Sequence, residues 1–166
     1  VSELIGYSLV SIATPMGKQQ ERAANIEKAY GTSLPEIGQS TTSSIDNSRF
    51  LGLQADQTFI LFEHPDDNSV PHIQEKIKDA AYLCDQSDSW VMLTINGELS
   101  RSALERICPL DLHPASFPDG SVARTSMEHL AVIILHQSDK QYLLLSPRSS
   151  AKSFLHAVLT SIDNIS

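Results

Sequence analysis

The stretch Cys108-Pro109-Leu110-Asp111-Leu112-His113-Pro114 constrains the fold of this chain more than any other. It has a proline near each end and apolar residues at Leu110 and Leu112. Proline lacks a backbone donor and pushes the residue before it out of the helical region, so a helix ahead of this stretch must end at Ile107 or Cys108. No central strand tolerates such proline placement either. The stretch is therefore expected to be a fixed, extended crossover, closed by the turn signal Phe117-Pro118-Asp119-Gly120. It also carries a Cys, an Asp and a His, and so raises the question of whether it is a site or a structural joint.

The segments around it define the fold class. Residues 7–14 read as a strand and 19–30 as a helix, with Gly31 as its terminator. Residues 32–48 are polar and Ser/Thr-rich and read as a loop. Two strands, 49–53 and 58–63, form a hairpin, and Phe59-Ile60-Leu61-Phe62 reads as a strand covered on both faces. Ile73, Ile77, Ala80, Ala81 and Cys84 share one face of a helix that Pro71 begins, which makes Cys84 a core residue. Strand 90–95 follows, then a short helix in which Ser102 and Glu105 have capping-box spacing.

Beyond the crossover, 130–135 and 141–145 form the clearest hairpin. In the last helix Ala151, Phe154, Leu155, Val158, Leu159 and Ile162 make an apolar stripe expected to be buried on a sheet. Hairpins interspersed with helices give an α+β fold, with mixed or antiparallel sheets and helices packed on them. A single domain over residues 1–166 is expected, with two half-lobes of about 1–97 and 98–166; no residue-level repeat links them.

The chain carries 12 Lys+Arg against 20 Asp+Glu, a formal net charge of −8. The cations are scattered and none are adjacent, so no nucleic-acid or membrane surface is expected as a partner. No apolar run is long enough to span a bilayer, and the N-terminus lacks the basic and apolar regions of a signal peptide. With two cysteines in all, a reducing, cytoplasmic location is the expectation.

No phosphate loop, C-x-x-C, H-E-x-x-H, EF-hand or G-x-S-x-G pattern occurs. The six histidines have no i, i+4 pair on a helix; His129 and His136 bracket a strand at an odd separation and so face opposite ways. Cys108, Asp111 and His113 are the one set resembling nucleophile, orienter and base. Such partners usually come from separate elements, and Cys108 ends a helix, whereas thiolate-stabilising sites favour helix starts. The residues thus point to no catalytic, cofactor-binding or metal-binding group in this chain.

The run from Ala103 through Cys108-Pro109-Leu110-Asp111-Leu112-His113-Pro114 to Phe117 and Gly120 resembles the CPLDLHP…F signature of the sarcosine oxidase gamma-subunit family. The resemblance extends through Pro147 into the helix introduced by Arg148-Ser149-Ser150-Ala151, with Ser150 where the family usually has an aromatic. Leu51-Gly52-Leu53 is similar to an LGP stretch of the family, departing at Leu53. The resemblance implies a fold like part of the folate-binding aminomethyltransferase of glycine cleavage (T-protein).

It also implies a non-catalytic small subunit of a heterotetrameric, flavin-dependent oxidase or dehydrogenase acting on sarcosine or another N-methyl amino acid. The implied partners are a large alpha subunit, a flavoprotein beta subunit and a small delta subunit, which would carry the FAD, FMN, NAD and tetrahydrofolate. Cys108, Pro109, Leu110, Asp111, Leu112, His113, Pro114, Phe117 and Arg148 are then structural or interface candidates. The alternative is a stand-alone folate-binding or aminomethyltransferase-like protein.

Overall fold

A computed structural model describes residues 1–165. The chain divides into two compact units, one of Ile5–Ser87 and one of Val1–Leu4 with the residues from Asp88 onward. Each is built on a five-stranded sheet in which every pairing is antiparallel.

In the unit of Ile5–Ser87 the strands are β2 (Tyr7–Ala13), β3 (Ser40–Thr42), β4 (Arg49–Gly52), β5 (Gln57–Glu63) and β6 (Tyr82–Asp85), and the helices are α1 (Gln19–Tyr30) and α2 (Ser69–Ile77). The sheet order is β3-β4-β5-β2-β6. Strands β2 and β5 lie at its centre and bury both faces, which is why Phe59 to Phe62 can be apolar without alternation. Val10, Ile12, Phe50, Ile60 and Phe62 from one face pack with Ile26 and Tyr30 of α1 and Ile73 and Ile77 of α2. Gly31 ends α1 in the left-handed conformation, φ 62°, and its N–H reaches the Glu27 carbonyl at 2.9 Å.

Two expectations fail in this unit. The stretch 32–48 is not all loop, because Ser40–Thr42 pairs with β4 as an edge strand too short to show a pattern. Helix α2 stops at Ile77, where Lys78 takes φ 59°. Ala80 and Ala81 are buried outside any helix, and Cys84 lies on β6, paired with Ser11 and exposed. The helical spacing of Ala80, Ala81 and Cys84 with α2 was coincidental: pairing along the open edge of the buried strand β2 gives partners to backbone groups of both strands.

The second unit comprises β1 (Ser2–Glu3), β7 (Trp90–Asn96), α3 (Ser100–Glu105), β8 (Val122–Met127), β9 (Leu130–Ser138), β10 (Gln141–Pro147) and α4 (Ala151–Asp163). Its sheet order is β1-β7-β10-β9-β8. One face carries Val91, Leu93 and Ile95 of β7, Val132 and Ile134 of β9, and Tyr142 and Leu144 of β10. These pack with Ala103 and Leu104 of α3 and with Phe154 and Val158 of α4.

Helix α4 buries less than its stripe suggests. Phe154, Val158 and Ser161 face inward, whereas Leu155 is 36% and Leu159 43% exposed. The buried line runs i, i+4, i+7, and Leu155 and Leu159 lie one position round from it. Ser102 does not cap α3, which begins at Ser100. The Ser100 hydroxyl instead donates to the Lys140 carbonyl at 3.0 Å, tying α3 to the β9–β10 turn.

Candidate functional site

The stretch from Cys108 to Gly120 connects α3 to β8 without forming a helix or strand of its own. Helix α3 closes on itself at its end: the Ile107 and Cys108 amides both reach the Leu104 carbonyl, at 3.0 and 2.8 Å. Pro109 follows, has no N–H to offer, and faces solvent. Leu112 is fully buried in the core of the sheet face, Phe117 is buried beside it, and Leu110 packs at the core's edge. Pro114 is exposed.

Asp111 and His113 serve the backbone of the same stretch. Asp111 Oδ1 accepts the His113 N–H at 3.0 Å, and Asp111 Oδ2 accepts the Ser116 hydroxyl at 2.5 Å. These bonds hold the Asp111 carboxyl below the usual carboxylate range, the Ser116 hydroxyl contributing most. The Ala115 N–H donates to His113 Nδ1 at 3.2 Å, so that nitrogen presents a lone pair. The His113 carbonyl accepts the Ser116 and Phe117 amides, both at 2.8 Å.

The Cys108 thiol is buried, and burial pushes it up from its ordinary value. Its polar neighbours are the Leu110 backbone and the Thr125 side chain of β8, not His113. The three residues that chemistry could use are therefore close in sequence and do not form a nucleophile–base pair. A nucleophilic thiol needs a base within hydrogen-bond reach or a lowered titration, and Cys108 has neither. Among the described residues no three His, Cys, Asp or Glu side chains group to hold a metal ion.

Arg148, just before α4, is bound elsewhere. Its guanidinium donates to Glu3 Oε1 at 3.2 Å and to the Trp90 carbonyl at 2.8 Å, linking β1, β7 and the start of α4. It stands on the same unit as the crossover but shares no hydrogen bond with it among the described residues.

The residue that sequence reading overlooked is His136 on β9, 3% exposed and directly opposite Tyr142. Its ring stacks on Tyr142, with centroids 4.5 Å apart, and its Nδ1 lies 2.8 Å from the Phe117 carbonyl. Its backbone accepts the Gly120 N–H at 2.7 Å and donates to the Ser121 carbonyl at 2.9 Å. Alternation along β9 was the available signal: Val132 and Ile134 face the core, and His136 continues their line. His129 occupies the exposed β8–β9 turn, and His136 points inward.

The site is thus a crossover anchored by Leu112 and Phe117, satisfied internally by Asp111 and His113, and fastened to the sheet by His136. No family model matches the chain. The chain is 23% identical over 139 residues to the sarcosine oxidase subunit gamma of Corynebacterium sp. (strain P-1), covering 84% of this chain and 68% of that protein. It is 21% identical over 144 residues to the subunit of the same name from Corynebacterium sp. (strain U-96), covering 86% and 70%. It superposes with a TM-score of 0.83 on a chain of the heterotetrameric sarcosine oxidase from Corynebacterium sp. U-96, solved in complex with pyrrole 2-carboxylate.

The chain resembles the sarcosine oxidase gamma subunit. The superposition covers 98% of this chain and 82% of the solved one at 19% identity, so the likeness in fold includes residues of both units. The chain also superposes with a TM-score of 0.68 on the glycine cleavage system aminomethyltransferase T from Bartonella henselae, at 13% identity, covering 95% of this chain and 44% of that one. At these identities the solved structures establish the fold, an α+β arrangement like part of the aminomethyltransferase.

Proposed function

We propose that this chain is a small, non-catalytic subunit of a heterotetrameric, flavin-dependent complex that oxidises sarcosine or a related N-methyl amino acid. The observation that carries the reading is the superposition of nearly the whole chain on a chain of heterotetrameric sarcosine oxidase. The isolation of Cys108 from any base supports a supporting role for this chain. On this reading a large alpha subunit, a flavoprotein beta subunit and a small delta subunit are the partners. FAD, FMN, NAD and tetrahydrofolate belong to those partners, and the crossover at 108–117 is a structural joint that keeps its own unit in shape. Two free cysteines fit a cytoplasmic setting. Among the described residues no helix is long and apolar enough to cross a membrane.

The test is native mass spectrometry of the tagged chain purified gently from its own cells, with the absorption spectrum recorded on the same sample. The reading expects larger subunits and a bound flavin spectrum. A colourless species at the mass of the tagged chain alone contradicts it.

The likeness to aminomethyltransferase T favours a second reading, a stand-alone folate-binding protein. Against it, the chain spans less than half of that protein's length. Calorimetric titration of the isolated chain with tetrahydrofolate decides: tight binding supports the second reading, and no heat supports the first.

A further inference from the structure

Every polar group of His136 is spent on the end of the crossover. Its backbone N–H and carbonyl engage Ser121 and Gly120, Nδ1 engages the Phe117 carbonyl, and Nε2 lies 3.3 Å from Asp119 Oδ1. A carbonyl can only accept, so Nδ1 carries a proton. Nε2 then faces a carboxylate. With a lone pair there, the ring would set one negative region against another. With a second proton it would make a charge-assisted bond. Both nitrogens of this ring therefore face acceptors, an arrangement that only the imidazolium form satisfies.

The aromatic neighbours favour that form, against the cost of burying its charge. Tyr142 stacks on the ring within 8° of parallel and Phe117 lies 6.3 Å away on a plane within 10°, and a cationic ring is favoured over aromatic faces. A cavity of about 210 Å³ beside the ring is lined by Glu98, Arg101, Asp139 and Lys140 among others. Its cations are already matched: Lys140 by Glu98 at 2.8 Å and by Asp139 at 3.7 Å, and Arg101 by Glu105 at 3.4 Å. Asp119 is the carboxylate in reach of the ring, and its own side chain is 62% exposed and free to leave.

We propose that His136 and Asp119 form a pH-operated clasp on the Pro118-Asp119-Gly120 end of the crossover. When Nε2 is protonated, Asp119 is held and the turn is fastened to β9. When Nε2 loses its proton, Asp119 swings into solvent and the turn keeps its backbone bonds to His136 and the Nδ1 bond to the Phe117 carbonyl, but loses the side-chain clasp. Histidine changes charge in the range where cells change pH, so the clasp would set the order of this turn with acidity. Any partner surface that included the turn would be tuned with it.

The test uses the full chain in two measurements between about pH 8 and pH 5. Hydrogen exchange at the Gly120 amide, corrected for the intrinsic rate, should show protection rising several-fold on acidification in the wild type. It should stay flat in Asp119→Asn, a change at an exposed side chain that leaves the core intact. Ring-nitrogen chemical shifts of His136 should show a second N–H appearing at Nε2 over the same range. The proposal is overturned if the two proteins show the same pH response, or if the ring stays singly protonated down to the acid end.

Discussion

The Ser116 hydroxyl donates to Asp111 Oδ2 at 2.5 Å, between two exposed residues that belong to no helix or strand. With the His113 amide it keeps the Asp111 carboxyl ionised to lower pH than usual. A carboxyl whose titration is depressed by folding contributes stability above its unfolded value and loses it as pH falls through the folded one. Ser116→Ala should therefore move the Asp111 carboxyl titration upward, read by carbon NMR of the side chain. The acid side of the stability curve should become slightly shallower. An unchanged titration midpoint would show that the hydroxyl does not engage the carboxylate.

Leu112 is fully buried among Ala103, Leu104, Phe154 and other core residues, whereas Leu110 packs only at the edge. Leu112→Ala should cost about 2–5 kcal/mol, the range for a buried leucine that leaves a cavity. At about 2–4 °C per kcal/mol for a chain of this size, calorimetry would resolve it easily. Leu110→Ala should cost distinctly less. Equal losses would mean that the crossover is not anchored through Leu112.

The two cysteines should separate cleanly under alkylation. Cys84 is exposed on an edge strand, and Cys108 is buried with its thiol pushed up. Brief treatment with iodoacetamide near neutral pH, followed by peptide mass spectrometry, should modify Cys84 and leave Cys108 untouched until the chain is unfolded. Fast modification of Cys108 in the folded chain would restore the idea of a reactive thiol.

Gly52 has a packing reason to be glycine. A Cβ there would run into the Glu36 backbone carbonyl, because residues 36–39 fold tightly over this position. The Gly38 amide reaches the Gly52 carbonyl at 2.8 Å, and the Gly52 amide reaches the Gln39 carbonyl at 2.9 Å. Backbone cannot step aside as a side chain can, so Gly52→Ala should cost about 1–3 kcal/mol. Denaturant unfolding would measure it, and a neutral result would mean that the 36–39 segment moves freely.

Much of the fold was legible because local signals agreed with the tertiary outcome. Gly31 ends α1 where a terminator should stand, and the apolar run at 59–62 lies at the centre of its sheet. Cys84 was misplaced because Ile73, Ile77, Ala80 and Ala81 keep helical spacing across a chain reversal that only the free edge of β2 explains. Leu155 and Leu159 were expected inside because an apolar stripe does not state how much of itself a sheet can cover. Within the site, the two prolines marked the crossover. His136 stayed hidden because its partners at 117–121 lie on the far side of a hairpin in sequence.

The central claim is that residues 108–117 form a joint that shapes the chain and take no part in chemistry. The most direct measurement, in the flavin-dependent complex proposed above, is turnover per bound flavin with Asp111→Ala, alongside the yield and melting temperature of that complex. The account predicts lower yield or melting temperature with turnover per flavin unchanged. A complex of wild-type yield and stability whose turnover per flavin falls would contradict it and make the crossover part of an active site.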